Sequence, residues 1–143
     1  MKCCCRGAVT PDATVNFEDF CKGFKQGSGL PQAISDRLLR IYGTRCSALA
    51  KLTASDLSLA EVFDVETKAI AAEVVYSFEH ELAETLADCL LRRTMVGLNS
   101  TCGLNAVEPA ATIAQKYLGW SKDRVSEEVS SYRKYVERFR VNP

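Results

Sequence analysis

The most restrictive feature of this chain is an apolar seam near its end. Val125, Val129, Tyr132, Val136 and Phe139 step by four, three, four and three. Only an α-helix brings that spacing onto one face, and the face must pack on a neighbour. Lys122, Glu127, Glu128, Lys134 and Arg138 fall on the opposite side. Ser121 is the natural N-cap, because its hydroxyl can accept an otherwise unpaired backbone N–H.

The same period recurs upstream. Behind Asn16, a second plausible cap, Phe17, Phe20, Cys21 and Phe24 mark one face of a helix that Gly27-Ser28-Gly29 stops. Pro31 suits the first position of the next helix, where its missing N–H is not needed. That helix carries Ile34, Leu38, Leu39 and Tyr42 and breaks at Gly43. A short helix is expected from Thr44 to Leu52 with Ala48 and Leu49 inward, then a loop over Thr53–Asp56 and a weakly helical stretch from Leu57 to Phe63. Glu66 to Glu79 has Ile70, Val74 and Phe78 spaced by four. Thr85 and Asp88 form a T-x-x-D variant of the capping box, predicting a helix from Leu86 to Thr94 with Leu86, Cys89 and Leu90 buried. Leu104 to Leu118 reads as helix, closed by Gly119. No alternating run is convincing as a strand. The fold class predicted is all-α, a compact bundle of about six or seven helices with no substantial sheet. Residues 1–15 lack periodicity and read as a disordered lead-in, and 16–143 as a single helical domain.

Composition removes several functions. The chain has 143 residues, 47% hydrophobic and 25% charged, which suits one globular domain and not a disordered one. Lys plus Arg equals Asp plus Glu at 18 each, so the basic surplus that drives nucleic-acid binding is missing. No apolar stretch approaches the roughly 20 residues that span a bilayer. The seven cysteines are odd in number and no secretory signal precedes them, so a disulfide framework is not expected and a reducing compartment fits. No C-x-x-C pair exists to build a zinc site. Cys46 and Cys89, among apolar neighbours, read as core residues. Cys3-Cys4-Cys5 admits lipidation or a terminus with no role, and the second is the reading taken.

Catalytic and nucleotide motifs fail on their geometry. Gly27-Ser28-Gly29 opens like a dinucleotide fingerprint, but Gln32 stands where a third glycine is needed, and a helix precedes it rather than a strand. Any Ser/His or Cys/His pair must use His80, the sole histidine, which lies between Glu79 and Glu81 on an exposed helical position. Arg92 and Arg93 would either hold a phosphate or carboxylate, or cap helix carbonyls and pair with Glu73, Glu81 or Asp88; the structural role is the reading taken.

A series of spaced polar residues carries a family likeness. It begins with Tyr42-Gly43-Thr44-Arg45 and continues through Ala72-Glu73-Val74-Val75-Tyr76. It then runs from Glu81 through Ala83, Thr85, Asp88 and Leu90 to Arg92-Arg93-Thr94. The series resembles the C-terminal helical domain of FAD-dependent glycerol-3-phosphate dehydrogenases and α-glycerophosphate oxidases, over about residues 16–140. The resemblance implies a helical cap beside a flavin domain. The complete enzyme oxidises sn-glycerol 3-phosphate to dihydroxyacetone phosphate, passing hydride to FAD and electrons on to quinone or oxygen. The family's flavin- and substrate-binding part lies upstream of this domain and is not in these residues. No cofactor is therefore expected in this chain and no catalysis by it alone.

The partner implied is a flavin-domain chain or a missing N-terminal portion. The implied location is the cytoplasm, with peripheral association of the complete enzyme at the inner face of the membrane. Tyr42, Arg45, Glu73, Tyr76, Glu81, Thr85, Asp88, Arg92 and Arg93 are the motif residues expected to serve structure or docking. A cap of this kind also predicts an apolar surface patch near Tyr42, Tyr76 and the 92–94 turn. The alternative is a non-enzymatic helical protein-interaction module that keeps the fold.

Overall fold

A computed structural model describes residues 16–139; the expected lead-in, with Cys3, Cys4 and Cys5, and residues 140–143 lie outside the described residues. Among the described residues are six α-helices and one short two-stranded hairpin, so the all-α class holds. The chain divides into two compact units between Ala60 and Glu61.

The first unit is built from three helices. Helix α1 (Phe17–Gly27) is capped as its sequence requires, with Asn16 Oδ1 accepting the Glu18 N–H at 3.2 Å. Phe17, Phe20 and Phe24 stack along it with ring centroids 6.2 and 6.3 Å apart. Helix α2 (Gln32–Tyr42) begins one residue later than its proline suggested. Pro31 is the cap, and its carbonyl accepts the N–H groups of Ile34 and Ser35 at 3.0 Å each. All four residues of the predicted α2 stripe are buried. Gly43 takes a positive φ of 56° and turns the chain through a 3₁₀ segment, Gly43–Arg45.

Helix α3 (Cys46–Ser55) continues three residues past its expected end. The Thr53 and Ser55 hydroxyls donate back to the carbonyls of Ala50 (3.0 Å) and Leu52 (2.8 Å), satisfying inside the helix the groups that more often favour a loop. Leu49 is fully buried, but Ala48 is only partly so.

The second unit opens with the hairpin that the sequence hid. Strand β1 (Val62–Asp64) pairs antiparallel with β2 (Ala69–Ile70), where helix had been expected on both sides. Three- and two-residue strands are too short to show alternation. The turn is set by Asp64, whose Oδ2 accepts the Thr67 N–H at 3.0 Å and its hydroxyl at 2.5 Å. Helix α4 (Ala71–His80) therefore starts five residues after Glu66. Glu73, fully buried, reaches back to accept the Ile70 N–H at 3.0 Å. This is half of a capping box, since Ile70 has no side-chain acceptor to reciprocate.

The expected 86–94 helix forms, but as one α-turn opening into a π-helical segment, Asp88–Arg93. Its closing bond runs from the Thr94 N–H to the Cys89 carbonyl at 2.9 Å, a five-residue step. The widened turn buries the adjacent Cys89 and Leu90 completely and leaves Arg92 and Arg93 exposed. Residues 99–106 form turns, so helix α5 (Val107–Leu118) starts three residues after Leu104. Gly119 ends α5 at φ 70°. Ser121 Oγ then accepts the Arg124 N–H at 3.1 Å and starts helix α6 (Lys122–Glu137).

Alanine sets the packing distance in this unit. Ala110, Ala111 and Ala114 are fully buried on α5, and their small side chains let α4 and α6 approach it closely. Val74, Leu86, Leu90, Val107, Tyr132 and Val136 fill the space around them. Phe78 and Trp120 meet edge to face at 5.1 Å, a favoured aromatic geometry. The α6 seam holds from Val125 to Val136 but not at Phe139, which is 57% exposed and rests on Tyr135 beyond the end of the helix.

Candidate functional site

A concavity in the second unit lies between the start of the 86–93 helical segment and the outer face of α6. It is a groove of about 760 Å³. Its floor is the predicted capping element. The Thr85 hydroxyl donates to Asp88 Oδ2 at 2.9 Å and accepts the Asp88 N–H at 3.1 Å, and the Thr85 N–H reaches the same carboxylate at 3.2 Å. The free oxygen of Asp88 takes Arg92 Nη1 at 2.9 Å, one helical turn on. Of the three acids considered as partners for Arg92, Asp88 is the one that holds it.

Helix α6 forms the other wall. Glu128 Oε2 accepts the Leu86 N–H at 2.8 Å, capping the segment from a distant part of the chain. Arg124 lies over the Trp120 ring, 4.0 Å from its centroid, and donates to the Glu84 carbonyl at 3.2 Å. Nothing in the sequence marks Arg124, and the α6 spacing places Glu128 outward. A residue-spacing argument cannot see a cap supplied from 42 positions away.

The electrostatics of the groove are those of structure. Burial works to raise the Asp88 carboxyl. The Thr85 hydroxyl, the Glu84 and Thr85 amides and the Arg92 guanidinium outweigh it, so the net shift is below the ordinary aspartate value. A carboxylate stabilised in its charged form is a weak proton acceptor near neutral pH. Asp88, Asp123, Glu127 and Glu128 outnumber Arg92 and Arg124 along the walls.

The remaining motif residues are dispersed. Glu73 is spent on the start of α4, and Tyr76 is buried in the same helix with its ring 4.9 Å from that of His80. His80 itself is exposed, as expected. Glu81 is partly buried, and Arg93 is exposed beside Arg92. Tyr42 and Arg45 belong to the first unit, Tyr42 buried and Arg45 exposed. The exposure expected of Tyr42 in the first unit and of Tyr76 and Thr94 in the second is not found. Tyr42 and Tyr76 are 4% and 7% exposed, and Thr94 is fully buried with its hydroxyl on the Cys89 carbonyl.

A second polar cluster escaped sequence reading altogether. Asp64, 1% exposed, accepts Asn99 Nδ2 at 3.3 Å and Asn105 Nδ2 at 3.1 Å on Oδ1, in addition to the Thr67 bonds on Oδ2. Asn99 Oδ1 in turn collects the Thr101 and Gly103 N–H groups at 3.1 and 2.8 Å. The network ties the hairpin to the 99–105 turns. Its members are 35 to 41 residues apart, and no local motif announces them. Among the described residues no group of His, Cys, Asp and Glu side chains is placed to hold a metal ion.

Fold and groove define a helical protein in which Thr85, Asp88 and Glu128 are committed to capping the 86–93 segment. The family model for the C-terminal domain of alpha-glycerophosphate oxidase matches residues 7–125, and the chain belongs to that family. Among curated proteins it is similar to a glycerol-3-phosphate dehydrogenase of Synechocystis, 25% identical over 115 residues, covering 80% of this chain and 21% of the relative. It is also similar to a probable glycerol-3-phosphate dehydrogenase of Encephalitozoon cuniculi, 26% identical over 112 residues, covering 78% of this chain and 18% of the relative. The chain thus spans about a fifth of the length of the curated relatives it matches. No solved structure matches it significantly.

Proposed function

We propose that this chain serves as the C-terminal helical domain of an FAD-dependent glycerol-3-phosphate dehydrogenase, working with a flavin-bearing portion. The observation that carries this reading is the family match across residues 7–125, inside which the Thr85–Asp88–Arg92 element forms one connected unit. The reaction proposed for the complete enzyme is oxidation of sn-glycerol 3-phosphate to dihydroxyacetone phosphate. FAD supplies the redox chemistry by accepting hydride.

This groove does not fit FAD as a resident group. A dinucleotide needs backbone amides or a cationic cradle for its diphosphate. The groove instead presents four carboxylates, Asp88, Asp123, Glu127 and Glu128, and its two guanidiniums already bond Asp88 and the Glu84 carbonyl. In this reading the flavin belongs to the partner portion, and this domain contributes surface and stability. Among the described residues no helix is long and apolar enough to cross a membrane. Placement in the cytoplasm, with the complete enzyme associated peripherally with the inner face of the membrane, is part of this proposal.

The test is reconstitution. The FAD-loaded part of the Synechocystis relative, lacking its matching C-terminal segment, is mixed with this chain at micromolar concentration and followed by sedimentation and by glycerol-3-phosphate-dependent dye reduction. A complex with raised or stabilised activity is expected. Two independently sedimenting species with unchanged activity would overturn the reading.

A further inference from the structure

One edge of the second unit carries its polarity inside out. Asp64 and Asn99 are 1% and 7% exposed, yet their chain neighbours Val65 and Leu98 are 73% and 72% exposed. Hydrogen bonds hold the two segments side by side. Asn99 Nδ2 donates to Asp64, and the Ser100 N–H and hydroxyl donate to the two Glu66 oxygens at 2.9 and 2.6 Å. Met95, also exposed, stands at φ 59° before the 3₁₀ turn Val96–Leu98. The Leu98 N–H returns to the Met95 carbonyl at 3.2 Å and closes the turn on which both exposed side chains are carried.

Apolar side chains scattered singly on a surface need no explanation. Here three large ones are presented by backbone pinned through buried polar groups, and one of them from a conformation that L-residues disfavour. Such an edge is preorganised to meet another apolar surface.

We propose that Val65, Met95 and Leu98 form the face on which the flavin-bearing portion of the dehydrogenase docks. The inference rests on the function proposed above and names the surface that function requires. The occupant follows from proportion. All three residues lie within the stretch matched to a C-terminal domain, and that stretch is 21% and 18% of the two relatives, so the body beside it is the remainder of the same enzyme. The contact is apolar at its centre, with Glu66 and Lys68 of the hairpin turn at its rim.

The reconstitution above supplies the assay. Val65→Asp combined with Leu98→Asp is expected to weaken the complex by about tenfold or more, while circular dichroism and the melting temperature of the free chain stay unchanged. Leu82→Asp, an exposed leucine elsewhere in the unit, should bind as the unaltered chain does. Hydrogen exchange of the bound chain should slow at 62–66 and 95–100. If the unaltered chain gives no complex, the functional reading falls and this face with it. A complex that the double variant joins with undiminished affinity sinks the face alone. So does a patch shown to be occupied otherwise. Concentration-dependent self-association, or flotation with phosphatidylglycerol vesicles, abolished by the double variant would assign it to a second copy or to lipid.

Discussion

Tyr132, on the last helix, donates its hydroxyl to the Cys102 carbonyl at 2.8 Å and so fastens the 99–105 turns to α6. The next residue, Gly103, stands at φ 72°, and a Cβ there would lie 2.4 Å from the same hydroxyl oxygen. The bond and the glycine are one device: the chain passes close enough for the bond only because no side chain intervenes.

Tyr132→Phe should lower stability by about 1 kcal/mol, the net worth of one hydrogen bond. Gly103→Ala should cost more, roughly 2 kcal/mol or above, because strain at positive φ adds to the collision. The two changes should not add. With the hydroxyl gone, the alanine loses its closest clash, and a double-mutant cycle by urea denaturation should show coupling of about 1 kcal/mol or more. Simple additivity would mean that the turn relaxes away from Tyr132.

A pH dependence follows from Asp64. Burial works to raise its carboxyl, but the Thr67 hydroxyl and amide and the Asn105 and Asn99 side chains bring it below the ordinary value of 3.8. The unfolded chain then binds more protons than the folded chain in that range, so the contribution is complete above about pH 5 and is lost as acid titrates the folded carboxylate. Asp64→Asn should cost about 2–3 kcal/mol at pH 7, since its amide faces donors instead of accepting from them. The gap between variant and parent should narrow below about pH 4, read by urea denaturation across pH 7 to 3. Parallel stability curves would show that the charge contributes nothing.

Helical periods and local caps were legible in the sequence, because both act over three or four residues. Asn16, Ser121, Gly119 and the Thr85–Asp88 pair all behave as their side-chain chemistry demands. What stayed hidden depends on distant partners. The hairpin's Asp64 is held by Asn99 and Asn105 as well as by the nearby Thr67, and the Leu86 amide is capped by Glu128. The π-turn at Asp88–Arg93 was equally invisible, since one extra residue in a turn leaves no mark on composition. Sequence likeness carried the family, and the patch expected from it lay in the wrong place. Tyr42 and Tyr76 are internal residues, whereas the exposed Leu57, Val65, Leu98 and Phe139 come from turns and 3₁₀ segments.

The Thr85–Asp88 element offers a graded test of the groove. Thr85→Ala removes the acceptor for the Asp88 N–H and should cost about 1 kcal/mol. Asp88→Ala keeps that N–H but removes the carboxylate that accepts from the Glu84 and Thr85 amides, the Thr85 hydroxyl and the Arg92 guanidinium, and should cost more, about 2 kcal/mol. Arg92→Ala should cost a few tenths of a kcal/mol, because the pair is exposed on the arginine side. Thermal unfolding of the three variants should keep that order. A loss for Arg92→Ala equal to that for Asp88→Ala would mean the ion pair, not the cap, holds the segment.

Thiol chemistry separates the two buried cysteines from a reactive role. Cys46 and Cys89 are fully buried. Burial pushes both thiols up to about 12; the neighbouring Cys21 adds to the effect at Cys46, while at Cys89 a hydrogen bond from Ser77 at 3.1 Å offsets part of it. The thiolate is the nucleophile, and at pH 7.5 a thiol of this kind is almost wholly protonated. Iodoacetamide should therefore leave both sites unmodified in the folded chain and label them fully in denaturant, read by peptide mass spectrometry. Because modification requires opening, the labelling rate of Cys89 in increasing urea should follow unfolding of the second unit, whose core it occupies. Rapid labelling of Cys89 without denaturant would show that the π-turn opens locally and that the core around Leu90 is not sealed.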